Sequence, residues 1–358
     1  MSMNETTYAE SSTWNELCSQ AEVWQRVITD TRDGRSTAEI LSGSARVNEW
    51  IFVGCGTSFY LAEAAAVSWT TLTGEPARAV PASEILLFPQ LSKAGVSTKQ
   101  AVVISRSGKT SEAVRAATWL RQTLRIPTIG ISCAERSDLE RECDLTIVLR
   151  AADEQSTVMT RSFTSMLLAL QVLAANRAGK TAFIDSLLAL AKQFSGQLPS
   201  IAENMRTFVE RHVFADYVFL GQGAFHGIAR EAALKVMEMS CSYSQFFHAL
   251  EFRHGPKAIV SPATCLTFFV SRTAKEAETE VLSEMKELGA VVVAVCDRAN
   301  GEIRKSADLI FEIDFQGDEI ALLAPFVVPC QLMGFFTGLQ KGLNPDQPKN
   351  LTRVVILD

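Results

Sequence analysis

The chain has 358 residues, 47% of them hydrophobic and 21% charged, with a formal net charge of −6. That length fits two domains of common size, and the composition is that of an ordinary globular protein with apolar material for two cores. Neither a basic tail nor a basic stripe is present, so nucleic acid is not an expected partner.

The opening residues, MSMNETTYAE, lack the basic start and apolar run of a signal peptide. Residues 8–45 read as helical, and 1–45 form an expected N-terminal helical segment. A first α/β domain is expected over 46–195 and a second over 205–340, with 341–358 as a C-terminal tail. Residues 162–211, at the junction, read as two or three helices.

The two halves repeat one another. Residues 50–66 read WIFVGCGTSFYLAEAAA and residues 217–233 read YVFLGQGAFHGIAREAA. Each runs strand, Gly-x-Gly turn, alanine-rich helix, and Gly54 and Gly56 match Gly221 and Gly223 at an offset of 167. Further on, AVVISRSGKTSEAV (101–114) matches TFFVSRTAKEAETE (267–280), with Ser105, Arg106 and Glu112 against Ser271, Arg272 and Glu278 at an offset of 166. IPTIGIS (126–132) and AVVVAVC (290–296) follow as apolar runs of strand length. Near-constant spacing over three elements argues for a duplicated domain. Continuous apolar strands alternating with helices predict an α/β fold of two tandem doubly wound parallel sheets, with ligands at the carboxyl ends of the strands.

Two strand-end turns carry candidate chemistry. Ser105-Arg106-Ser107-Gly108-Lys109-Thr110 places hydroxyls and a glycine ahead of a helix, where orphan N–H donors and partial positive charge suit a phosphate. Plain helix capping explains the same residues. The second copy has Thr273, Ala274 and Glu276 in place of Ser107, Gly108 and Thr110. A carboxylate there repels phosphate, so only the first copy is expected to keep an anion cradle. The other turn, Gly54-Cys55-Gly56-Thr57-Ser58, allows close backbone approach beside two hydroxyls. Phe59 stands where a dinucleotide fingerprint needs its third glycine, so dinucleotide binding is not expected.

Farther along, Glu231, Lys235 and Glu238 lie at i, i+4 and i+7 on one helical stripe. The bland reading is a solvated Glu–Lys pair; the alternative is a cleft-lining carboxylate beside an ammonium, able to move a proton. His254, in EFRHGP (251–256), is either a loop histidine or an acid–base group. Residues 320–339 are twenty residues without a formal charge, interrupted by Pro325 and Pro329. With no companion span elsewhere, a buried helix is expected rather than a membrane crossing. The tail KGLNPDQPKNLTRVVILD is polar and is expected to end in a short apolar strand. The eight cysteines form no CxxC pair and the four histidines no HExxH motif, so no metal and no cofactor is expected; cysteines in apolar runs suit reduced thiols in a cytoplasmic protein.

Taken in order, GCGTS (54–58), SRSGKT (105–110), MTRSFT (159–164), REAALKVMEMS (230–240), EFRHGP (251–256) and DQPKNLTR (346–353) resemble the sugar-isomerase (SIS) family, in particular the isomerase half of glucosamine-6-phosphate synthase. The resemblance runs from about residue 48 to the C-terminus. It implies two flavodoxin-like SIS domains and phosphosugar chemistry. By position, Ser58, Ser105, Ser107 and Thr110 hold the phosphate, with Arg106 donating its backbone N–H. Cys55, Gly56, Thr57, Thr157, Thr352 and Arg353 lie along the sugar. Glu238 is the base that moves a proton between C1 and C2, Lys235 sits beside the reacting end, and His254 assists ring opening from the other subunit of a homodimer.

Departures from the synthase shape the expected reaction. Residues 1–45 leave no room for its glutaminase domain, so glutamine-derived ammonia is not expected. Arg353 stands where the synthase has a lysine, which excludes a Schiff base there. Arg106 replaces a glutamine and adds a fixed charge, which suits a substrate with a second anionic group. The expected activity is therefore an isomerase–deaminase acting on an amino-sugar 6-phosphate. Cleavage of a fructosamine 6-phosphate, simple ketose–aldose isomerisation and a non-catalytic sugar-phosphate regulator are the alternatives.

Overall fold

The computed structural model describes residues 8–43, 47–90 and 98–357. The chain divides into two compact units. One comprises Ser19–Gln155, Met159–Ala191 and Thr352–Asp358; the other comprises Met1–Cys18, Ser156–Val158 and Lys192–Leu351.

The first of these units is built on a five-stranded sheet of β1 (Glu49–Gly54), β2 (Ala77–Pro81), β3 (Lys99–Ile104), β4 (Thr128–Ser132) and β5 (Leu145–Val148). Its order is β2-β1-β3-β4-β5 and every pairing is parallel. The strands β3 and β4 are buried along their whole length, as the central strands of a doubly wound sheet are. Ile51, Val53, Ala101, Val103, Ala113 and Leu120 form the centre of one core layer. On another side the helices Thr57–Thr73 and Gln20–Asp33 both pack on the helix Arg161–Arg177. Trp24 Nε1 donates to Thr164 Oγ1 at 2.8 Å, which fixes that helix pair with a buried polar bond.

The other unit repeats the plan. Its strands are β6 (Asp216–Gly221), β7 (Tyr243–Phe247), β8 (Thr264–Val270), β9 (Val291–Cys296) and β10 (Leu309–Glu312). Their order, β10-β9-β8-β6-β7, is again parallel throughout. Read from the other edge it is the same winding as the first sheet. Both sheets therefore reverse direction at one point, between β1 and β3 and between β6 and β8, which is where open α/β sheets form crevices. The fold is α/β with two tandem, doubly wound, flavodoxin-like parallel sheets.

The uncharged segment 320–339 becomes a short 3-10 turn, Glu319–Leu322, and the helix Leu323–Gln340. It is long and apolar enough to cross a membrane, yet its apolar window is wholly buried. It packs against the helix Ala224–Ser240. A Cβ on Gly338 would stand 2.4 Å from the Met239 carbonyl oxygen, so only glycine permits this helix approach. Cys133, Cys143, Cys265, Cys296 and Cys330 are buried free thiols.

The end of the tail departs from expectation. Residues 354–357 form no strand, and Val355, Ile356 and Leu357 are 51%, 70% and 45% exposed. Their backbone groups are taken up at the start of the helix Ser111–Thr118 instead of at a sheet edge. Val355 O accepts from Ser111 N at 3.2 Å, Leu357 N donates to Ser111 Oγ at 2.9 Å, and Leu357 O accepts from Arg115 Nη2 at 3.2 Å.

Candidate active site

The two Gly-x-Gly turns are the same object built twice. Gly56 has φ 52°, ψ −126° and Gly223 has φ 54°, ψ −127°, a conformation that L side chains resist. A Cβ on Gly54 would lie 2.3 Å from the Ser58 carbonyl oxygen, and one on Gly221 would lie 2.5 Å from that of Phe225. The helix thus starts directly against the strand end. In the first turn this packs Thr57 and Ser58, both buried, at the start of the helix. Cys55 is partly buried beside them, and burial pushes its thiol up to about 12, with Glu112 adding to the effect. It is a neutral group at physiological pH, able to line a site but not to attack as a thiolate.

The turn after β3 lies on the neighbouring strand: Val53 pairs with Val103, so Gly54 and Ile104 end side by side. Ser58 and Cys55 on one turn, and Ser105, Ser107 and Thr110 on the other, therefore share the switch point of this sheet. Ser105 is buried and its Oγ is 3.2 Å from Thr110 Oγ1, while Ser107 and Thr110 are partly exposed. Thr110 is the N-cap of Ser111–Thr118 but makes no side-chain cap bond. Capping, the bland reading of these hydroxyls, is thus not the use Thr110 is put to.

Arg106 is buried, and its side chain turns into its own unit. Nη2 donates to the Arg353 carbonyl at 2.7 Å, and Nη1 stands 3.7 Å from Glu154 Oε2. Glu154 is fully buried and accepts from Thr160 N at 2.8 Å, Thr160 Oγ1 at 2.7 Å and Ser162 N at 3.1 Å. Arg353 in turn donates to Asp153 Oδ1 at 3.0 Å and to the Glu154 carbonyl. The charge that the sequence offered to a second anionic group is answered by Glu154 and used to hold the tail. Thr352 is exposed next to this anchor. Glu154 had no signal of its own in the sequence; only its neighbours in MTRSFT marked the segment. Thr157 is partly buried and belongs to the other unit.

The acidic stripe is not solvated. Glu231 and Lys235 have fully buried side chains, and Glu238 keeps 19% exposure. Lys235 Nζ lies 3.2 Å from Glu231 Oε1 and 2.5 Å from Glu238 Oε2. Burial works against the ammonium, yet the Glu231 and Glu238 carboxylates outweigh it and hold Lys235 above the ordinary lysine range. The sequence spacing found this triad; its burial came from the packing of Ala224–Ser240 against β6, β7 and Leu323–Gln340. The result is one partly exposed carboxylate, oriented by a buried cation that a second carboxylate fixes. His254 is exposed in the turn after Glu251–Arg253, and no hydrogen bond or ion pair joins it to the triad among the described residues.

The second copy of the phosphate-type turn follows β8. Glu276, the carboxylate expected to repel an anion there, is exposed. The carboxylates that actually engage the turn are Glu278 and Glu319. Ser271 N and Oγ donate to Glu278 Oε2 at 2.7 and 2.9 Å. Burial pushes the Glu278 acid up to about 7, against those two bonds, with Glu319 adding to the shift. An acid whose folded value lies above its unfolded value gives its stability below the ordinary carboxylate range and loses it as pH rises through about 7. Glu278→Gln is therefore expected to gain stability relative to the parent between pH 5 and pH 8, by on the order of 2 kcal/mol. Urea titrations across that range check it; a pH-independent difference would contradict it.

Comparison with known proteins places these turns in context. The SIS domain description matches residues 45–176 and 216–336, more than half of the chain. The glutamine–fructose-6-phosphate aminotransferase (isomerizing) of Pseudomonas aeruginosa is 27% identical over 338 residues, covering 91% of this chain and 54% of the relative. The chain thus spans about half the length of such curated relatives. Among solved structures, glucosamine-6-phosphate deaminase from Thermotoga maritima is 29% identical with a TM-score of 0.77, covering 97% of this chain and all of that one. The tagatose-6-phosphate ketose/aldose isomerase of Escherichia coli shares the fold at a TM-score of 0.84 and 22% identity, covering 100% of this chain and 98% of that one.

Proposed function

Because the chain belongs to the SIS domain family, we propose that it is an enzyme that isomerises and deaminates an amino-sugar 6-phosphate, giving a ketose 6-phosphate and ammonia. The observation that carries this reading is the Glu231–Lys235–Glu238 triad: a partly exposed carboxylate held by a buried ammonium. A sensor of sugar phosphates needs no such costly buried charge, whereas a proton-transfer catalyst does.

In this reading the phosphate takes the donors of Ser58, Ser105, Ser107 and Thr110 and performs no chemistry; it fixes orientation. Cys55, Gly56, Thr57, Thr157, Thr352 and Arg353 line the sugar. His254, supplied by the second subunit of a homodimer, helps to open the ring, since a closed pyranose has no acidic C–H beside a carbonyl. Glu238 then takes the C2 proton of the open-chain aldehyde and returns it to C1. The negative charge of the intermediate enolamine is stabilised by Lys235 and nearby donors. The 2-imine that results adds water, and the C–N bond breaks to release ammonia. The enzyme works in the cytoplasm and requires no metal or cofactor for these steps.

Deglycation of a fructosamine 6-phosphate uses the same proton shift, and there the second anionic group, the amino-acid carboxylate, would need the Arg106 guanidinium as its reader. With the Arg106 guanidinium committed to Arg353 and Glu154, the deaminase reading is favoured. Incubation with glucosamine 6-phosphate and with galactosamine 6-phosphate is expected to release ammonia from one of them. Release from neither would overturn the proposal. A freed amino acid from a fructosamine 6-phosphate, or ketose–aldose exchange without ammonia, would establish one of the other two reactions.

A further inference from the structure

His254 ends a stretch of chain whose backbone is bonded to itself. Phe252 N donates to His248 O at 3.1 Å, Arg253 N to Leu250 O at 3.3 Å and His254 N to Glu251 O at 3.0 Å. Just past His254 the chain turns away through Gly255, whose φ of 127° favours glycine, and Pro256. Local bonds of this kind hold the shape of the stretch but not its direction relative to the rest of the unit.

The two residues before His254 supply that direction. Phe252 is 0% exposed and belongs to the core cluster that also holds Val281, Leu282 and Met285 of the helix Lys275–Glu287. Arg253 forks onto Glu284 of the same helix: Nε donates to Oε2 at 3.0 Å and Nη2 to Oε1 at 2.7 Å. Glu280 Oε2, one helical turn earlier and 3.6 Å from Nη2, draws the guanidinium to the same face. Among the described residues the Arg253 bonds are the only side-chain hydrogen bonds that leave residues 248–256. Two parallel charge-assisted bonds fix the plane of a guanidinium. Both side chains stay partly exposed, 26% and 43%, and a pair so placed adds little to stability. What it adds is orientation of the residue next to His254.

We propose that Glu284, acting through Arg253, is a positioning residue for ring opening: it holds the turn that carries His254 at the angle from which the imidazole reaches the substrate. The inference rests on the reading of His254 as the ring-opening group. Glu284 itself touches no substrate and moves no proton.

The test is steady-state kinetics of the full chain on the amino-sugar phosphate it deaminates, in a cycle of Glu284→Gln, His254→Asn and the double variant, with a melting curve for each. Glutamine keeps the side-chain length and removes the charge, so the fork is broken without a cavity. Glu284→Gln is expected to lower kcat by about 10- to 100-fold with KM and Tm nearly unchanged. It should have no further effect once residue 254 is asparagine, a dependence that a merely structural role would not produce. Arg253→Gln breaks the fork from its other side and should repeat both results, which covers failure of the first variant to fold. Arg253→Glu/Glu284→Arg rebuilds the fork in reverse and should recover most of the loss. A parental kcat in folded Glu284→Gln, or a loss that multiplies with that of His254→Asn, would overturn the proposal while leaving His254 its role. An unchanged kcat in His254→Asn would instead remove the ring-opening reading, and this inference with it.

Discussion

Glu238→Gln is expected to lower kcat for ammonia release by about 10²–10⁴-fold while leaving KM and the fold nearly unchanged. Glutamine is isosteric and cannot take a proton, so the loss falls on the chemical step. The fold should tolerate the change because Lys235 keeps Glu231, 3.2 Å away, as a counter-ion. Glu238 itself retains 19% side-chain exposure, so its neutral replacement leaves no new polar group fully buried. Steady-state kinetics on the amino-sugar phosphate that the parent deaminates, with a melting curve alongside, measure both terms. A variant that keeps about a third of the parental kcat would remove Glu238 from the role of base. A variant that loses affinity and not turnover would reassign it to binding.

Lys235→Met is expected to destabilise the protein by about 3–5 kcal/mol at neutral pH. Methionine matches the length of the lysine stem and leaves no large cavity, so packing is a minor part of the loss. What remains is Glu231, fully buried, with its cation removed. Removing the cation beside a buried carboxylate is one of the few single changes that reaches this magnitude. The companion variant separates charge from packing: Glu231→Gln/Lys235→Met should recover much of the loss, giving a coupling energy above about 1 kcal/mol. Urea denaturation of the four proteins in the cycle provides the numbers. Additive losses would show that the lysine stem matters for its packing and that its charge does not.

The same triad shows where sequence reasoning stops. The i, i+4, i+7 spacing puts three charges on one stripe of any helix. It carries no information about what covers that stripe. A solvated pair and a buried one have identical spacing, and the difference arises from what packs on Ala224–Ser240: β6, β7 and Leu323–Gln340, a helix more than eighty residues later. Arg106 is a parallel case. Its place in the turn was plain from Ser105-Arg106-Ser107, but the direction of its side chain was set by Glu154 and by the Arg353 carbonyl, neither of them near in sequence. The last residues misled in the opposite way. VVIL has the composition of a strand, but a strand requires a ladder partner, and Ser111 and Arg115 claim these backbone groups first.

By itself the sequence determined the α/β class, the parallel winding, the two Gly-x-Gly turns, the buried uncharged helix and the family. All of these follow from local conformational rules or from repetition along the chain: apolar run length, glycine where L side chains collide, and one motif met twice. Only the tertiary structure decided which carboxylates face which cations and donors. Glu238 partly exposed, Glu231 in the interior, Glu154 beside Arg106 and Glu319 on the second turn are all the same kind of residue by composition. A carboxylate's partner is chosen by distance in space, and its environment by what else is packed around it. Neither quantity is written in the spacing of residues along one element.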